Sequence, residues 1–130
     1  MVTIQPYCAT DVFDPPTYFQ AVKVTGAQTI LFLSGQVAYD PKGQPAHRGD
    51  FTAQAREVFR AIKAQVEAGG GTMASVVKLT TYLTDIRHRA ELLPVREEFF
   101  GKKMPASTLV AVAALAHPDW LIEVEAIAVL

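Results

Sequence analysis

The segment "FTAQAREVFRAIKAQVEAGGGT", residues 51–72, is where the chain declares a helix that must lie on a sheet. Phe51, Ala55, Val58, Phe59, Ile62 and Val66 recur at helical spacing and form one apolar stripe, while Arg56, Arg60, Lys63 and Glu67 fall largely off it. Asp50 stands where an N-cap belongs, and the glycines at 69–71 supply the stop. A helix apolar on one face needs a surface to bury it against, and the flanking segments read as strands.

Downstream, "SVVKLTTYLTD" (75–85) is rich in β-branched and aromatic residues and predicts a strand. Pro94 suits the first turn of a helix, so a short second helix is expected from near Leu93, with Val95 and Phe99 inward and Gly101 ending it. The preceding "IRHRAEL" (86–92) reads equally as a separate helical turn or as part of that helix. Two further strands, Ala106–Leu115 and Leu121–Val129, are linked by "AHPDW". The first is apolar on both faces, with Leu109, Ala111 and Ala113 against Val110, Val112 and Ala114. Such a strand is normally covered on both faces. Two helices cannot do that alone, so another subunit is expected to supply cover.

Upstream, "AVKVTG" (21–26) and "TILFLSG" (29–35) are β-rich runs joined around Gly26, which predicts a hairpin, and "YDPKGQP" (39–45) is turn chemistry. The order is ββαβαββ, with room for one more strand at the start. It describes one α+β domain over residues 1–130, a mixed sheet with both helices on one face.

Charge sets limits on partners. Twelve basic and 13 acidic residues give a net charge of −1, which leaves no electrostatic footprint for nucleic acid or an anionic membrane. The N-terminal "MVTIQPYCATDVF" lacks a basic start and an apolar core, so no signal peptide is expected. No uncharged run reaches the roughly 20 residues of a bilayer span. A single cysteine, Cys8, forms no internal disulfide, and a cytoplasmic location is the expectation.

Most familiar chemistry is missing. His47, His88 and His117 have no partner at metal-ligand spacing, and the "GGGT" at 69–72 follows a helix instead of opening one, the wrong context for holding phosphate. Neither a metal nor an organic cofactor is expected. The last strand is different: Ile122, Val124, Ala126 and Ala128 share one face, and Glu123 and Glu125 sit on the other among Leu121, Ile127 and Val129. Carboxylates there either meet solvent or a base such as Lys78, or they line a pocket where one positions water or moves a proton. Periodicity does not choose between these.

The ordered set "TYFQAVKV" (17–24), "LFLSGQVAYDPKG" (31–43), the opening segment, "VVKLTTYLTD" (76–85), "REEFFG" (96–101) and "IEVEAIAV" (122–129) resembles the Rid/YjgF family, also labelled L-PSP endoribonucleases. The resemblance covers nearly the whole chain. It implies a chorismate-mutase-like fold, a homotrimer, and small-molecule clefts between subunits. It also implies cofactor-independent hydrolysis of reactive enamines and imines to ammonia and a carbonyl compound. By the same resemblance Tyr18 is the cleft tyrosine, Ser34 and Gly35 are the ligand-contacting "SGQ" turn, and Glu123 is the acid that orients the attacking water.

Three positions depart from the pattern. Ser107 stands where deaminases of the family carry an arginine that clamps the substrate carboxylate. Leu109 replaces a small residue, often cysteine, and Leu93 replaces a pocket asparagine. Serine supplies neither the charge nor the planar fork of a guanidinium. The expected substrate is therefore a small enamine or imine that is uncharged or differently anchored, not the usual amino-acid-derived carboxylate imine. Should a carboxylate-bearing imine turn over, Arg87 or Arg89 from a neighbouring loop would have to clamp it. The competing readings are a trimer that binds a small molecule without turnover and, disfavoured by the charge balance, an endoribonuclease.

Overall fold

Helix α1 (Phe51–Ala68) forms as its stripe predicts: Asp50 caps it by accepting a hydrogen bond from the Ala53 amide, and Gly69 closes it. Phe51, Ala55, Val58, Phe59, Ile62 and Val66 are all buried. At about 1.5–3 kcal/mol for each large apolar side chain, this stripe is a principal contributor to the core. In the computed structural model, which describes residues 1–130, the stripe lies on a sheet of four strands. These are β3 (Ile30–Gln36), β4 (Val76–Leu83), β5 (Ala106–Ala111) and β6 (Ile122–Val129), in the order β3-β6-β4-β5. The pairs β3–β6 and β6–β4 are antiparallel and β4–β5 is parallel, so the sheet is mixed. Both helices pack on one face, as expected, leaving the other face bare in a single chain.

The second helix begins earlier than predicted. Helix α2 runs Arg89–Phe100 with Pro94 inside it, directly after a 3₁₀ turn over Ile86–His88. Asp85 starts this continuous run, its carboxylate accepting from the Arg87 amide, so "IRHRAEL" belongs to the helical segment. A proline inside a helix loses one backbone hydrogen bond and costs about 3 kcal/mol. Complete burial of Leu92 and near-complete burial of Val95 against α1 offset it.

The predicted hairpin is also corrected. β2 (Ala21–Thr25) pairs antiparallel with β1 (Thr3–Tyr7), the extra strand at the start, and the two form a ribbon apart from the main sheet. After Gly26, held at a φ of +73°, the chain joins the C-terminus: the Gln28 and Thr29 amides both donate to the Leu130 carbonyl. β3 thus satisfies its inner edge on β6 and leaves its outer edge free, with Phe32 76% exposed and Ile30 53%. β5 is shorter than its apolar run suggested. It ends at Ala111, after which the Val112 amide still donates to the Leu83 carbonyl. At the sheet edge its outward Thr108 and Val110 are exposed.

Gln54 was not singled out by the sequence, yet it is fully buried at the start of α1. Its side chain accepts from the Leu121 amide at 2.9 Å and donates to the carbonyls of Asp119, Ala46 and His47. One amide thereby ties α1 to the loop that precedes it and to the loop that precedes β6.

Candidate active site

The alternation read from the last strand holds: Ile122, Val124, Ala126 and Ala128 are buried toward the helices, and Glu123 and Glu125 point to the bare face. The two carboxylates are used differently. Glu125 accepts a 2.8 Å hydrogen bond from the Tyr82 hydroxyl, and this bond, then burial, pushes the Tyr82 phenol above its ordinary pKa. Lys78 is not the partner of either acid; its Nζ donates to Thr108 Oγ1 at 2.8 Å. Glu123 instead lies over Gly35, its Cδ and Cγ 2.7 and 2.9 Å from where a β-carbon would stand and its Oε1 nearer still.

A bulge makes this approach possible. Leu33 pairs with Ala126 but Gln36 pairs with Val124, so β3 carries one extra residue across Ser34 and Gly35. The "SGQ" motif is therefore a bulge inside a strand, and not a turn after it. Its glycine leaves room for the acid, and the Gln36 side chain braces it by donating to the Ser34 carbonyl at 2.9 Å.

A second group gathers on the helix side. Tyr18 is held by a parallel bridge to Met104, with the Phe19 amide donating to the Met104 carbonyl and the Met104 amide to that of Thr17. Three and five residues on from Met104, Ser107 and Leu109 stand opposite Leu79 and Thr81 of β4 and share their inward face. Tyr18, Ser107 and Leu109, with Ile86, Arg89 and Arg96, line a cavity of about 290 Å³. Leu93 borders a small adjoining crevice that shares Arg96. A larger groove of about 400 Å³ runs between the β1–β2 ribbon and α2, but it is mainly apolar. Its one cation, Lys103, already pairs with Asp14 and sits over the Phe19 ring, so it offers little to do chemistry with.

The seven residues picked out by resemblance thus fall into two groups. Tyr18, Ser107 and Leu109, with Leu93 adjoining, lie on the helix side; Ser34, Gly35 and Glu123 lie with the bare face. One chain does not bring them together.

The family model described as endoribonuclease L-PSP matches residues 14–130. The chain belongs to the Rid/YjgF family. Among curated relatives of this Rid chain, a RutC family protein of Pyrococcus horikoshii is 42% identical over 111 residues, 85% of each chain. Protein DfrA of Myxococcus xanthus is 38% identical over 112 residues, 86% of this chain and 84% of that one. Among solved structures, a Rid-family protein of unknown function from Yersinia pestis superposes with a TM-score of 0.86 at 28% identity, covering 98% of both chains. RidA from an Antarctic Psychrobacter superposes at 0.71 with 35% identity, covering 97% of this chain and 94% of that one.

Two cavity residues, Arg96 and Ile86, were not foreseen as part of the site. Arg87, by contrast, is committed elsewhere. Its guanidinium forks onto Asp85, and that hydrogen bonding lowers the Asp85 carboxyl to about 2. No helix is long and apolar enough to cross a membrane.

Proposed function

We propose that this Rid-family chain is a cofactor-independent hydrolase of a small enamine or imine, acting as a homotrimer in the cytoplasm with its ligand in clefts between subunits. The observation that carries the reading is the Glu123 carboxyl, seated over the Gly35 bulge on the bare sheet face and not taken up by Tyr82 as Glu125 is. In the reaction, water adds to the imine carbon, nitrogen takes up protons, and the carbon–nitrogen bond breaks to give a carbonyl compound and ammonia. Glu123 accepts the proton from the attacking water and returns it to nitrogen. The imine carbon is electrophilic by itself, so the chemistry asks only for positioned water and a proton carrier. Backbone groups of Ser34 and Gly35 contact the ligand, and Tyr18, Leu93, Ser107 and Leu109 form the opposing wall.

The surfaces left open support assembly. The bare sheet face carries the exposed Phe32, and the β5 edge presents Val110 at 40% exposure. Large apolar side chains grouped on one uncovered face suit an interface. Packing that face against another copy's helix-side cavity would complete a cleft. The family model's description names an endoribonuclease, but a net charge of −1 gives little grip on a phosphate backbone, and the imine reading is preferred.

The test is ammonia release from an imine generated in the assay. Glu123→Gln keeps the shape and removes proton transfer, so turnover should fall by about 10²–10⁴-fold, while Glu125→Gln should retain most activity. A folded Glu123→Gln oligomer with wild-type turnover removes this acid from the mechanism. No turnover by wild type across neutral and anionic imines leaves a binding protein.

A further inference from the structure

Arg96 is 4% exposed, and its Nε has no hydrogen-bond partner. None of the ion pairs in the fold includes Arg96 or Arg89. A guanidinium withdrawn from water without a carboxylate is costly, and native folds rarely leave one so. Here the cost is compounded. Arg89, Leu93 and Arg96 are spaced i, i+4 and i+7 along α2, so the two cations share one helix face. Arg89 also stands at the first position of α2, the positive end of the helix dipole. Burial first, and then the Arg89 charge, lowers the Arg96 guanidinium to about 10.

Resting on the hydrolase reading above, we infer that Arg96, aided by Arg89, is an anion anchor that takes the carboxylate of a small organic ligand in the cavity shared with Tyr18, Ser107 and Leu109. The anchor that the family resemblance leads one to expect at position 107 is thus supplied from the facing helix. Ser107 carries no charge, and its small side chain leaves room for the ligand between β5 and α2. The remaining wall argues for an organic anion over an inorganic one: Ile86 and Leu109 are apolar, Tyr18 offers a ring, and a cavity of about 290 Å³ admits a small acid. A planar guanidinium fork matches a carboxylate with paired charge-assisted hydrogen bonds. The cleft then selects for negative charge despite the serine on β5.

The experiment is a calorimetric titration of the wild-type protein with pyruvate, with its neutral counterpart pyruvamide, and with inorganic phosphate. Pyruvate should bind about ten- to a hundredfold more tightly than pyruvamide, and phosphate should bind more weakly than pyruvate. Arg96→Met, which keeps bulk and removes charge, should abolish the preference. Arg89→Gln, a change at an exposed position that the fold tolerates, should reduce it severalfold and serves if the Arg96 variant fails to fold. Equal affinity for pyruvate and pyruvamide, or a preference that survives in the folded Arg96→Met protein, overturns the inference. Phosphate binding as tightly as pyruvate overturns the assignment to a carboxylate. A wild-type protein that turns over imines but shows no preference for pyruvate refutes this anchor alone, whereas a clear preference without any turnover refutes the hydrolase reading alone.

Discussion

Gly35→Ala places a methyl group where Glu123 now lies. A β-carbon there would stand 2.7 Å from Cδ and 2.9 Å from Cγ, against an ordinary contact of 3.4 Å or more, so the carboxyl must retreat by about 1 Å. Two costs are possible, and the structure separates them. The obstructing atoms belong to a flexible side chain that in the proposed trimer faces the ligand cleft and not packed protein, so the acid can swing away, and stability should change by no more than about 1 kcal/mol. Catalysis has no such freedom. A displacement of about 1 Å at a reacting group costs on the order of 10²-fold in rate, or about 2.7 kcal/mol of barrier. The alanine variant should therefore melt within a few degrees of wild type in circular dichroism yet lose about 10²-fold in kcat/KM for ammonia release. That loss should approach the effect of Glu123→Gln, and the double variant should be little worse than either single one, because both changes disable one group. A folded Gly35→Ala protein with wild-type kcat/KM would refute the argument that the acid works from its place over the bulge.

Gln54→Leu should destabilise the fold by about 2–4 kcal/mol, since it strands the part-buried Leu121 amide and three loop carbonyls at once; urea denaturation measures it, and a change below 1 kcal/mol would contradict the clamp described above. Phe32→Asp should shift the protein from a particle about three times 14.1 kDa to a folded monomer in light scattering, while an unchanged particle would place the interface elsewhere.

What the sequence disclosed and what it withheld follow a physical division. Helix α1 and the alternation of β6 were legible because each repeats one period over many residues against a single core, so every position reinforces the same answer. The β2–β3 hairpin was not, because both runs were correctly strands but only tertiary competition decides which edge each one uses. Pro94 misdirected the start of α2: local chemistry favours a proline in the first turn, and only the packing of Leu92 and Val95 made the longer helix worthwhile. That error had a functional consequence. Starting the helix near Leu93 kept Arg89 as a loop residue and hid its alignment with Arg96, so Arg89 entered only as an alternative clamp beside Arg87, and Arg96 was passed over. The i, i+4, i+7 pattern of Arg89, Leu93 and Arg96 was the available signal. The Glu123–Gly35 approach, in contrast, came from resemblance, since no periodicity marks a bulge that turns on one extra residue.

The division of the site between the two faces of one sheet has a genetic consequence. In the proposed trimer each cleft takes its arginine wall from one copy and its acid from the next, so no chain serves itself. A copy lacking Arg96 still offers a sound Glu123, and a copy lacking Glu123 still offers a sound Arg96. When two such defective alleles share a cell and their products assemble together, some clefts receive both intact halves. Alleles that are each silent alone would then complement when co-expressed, whereas two lesions in the same half never would. The pattern of complementation among alleles would sort every residue of the site to its side of the sheet.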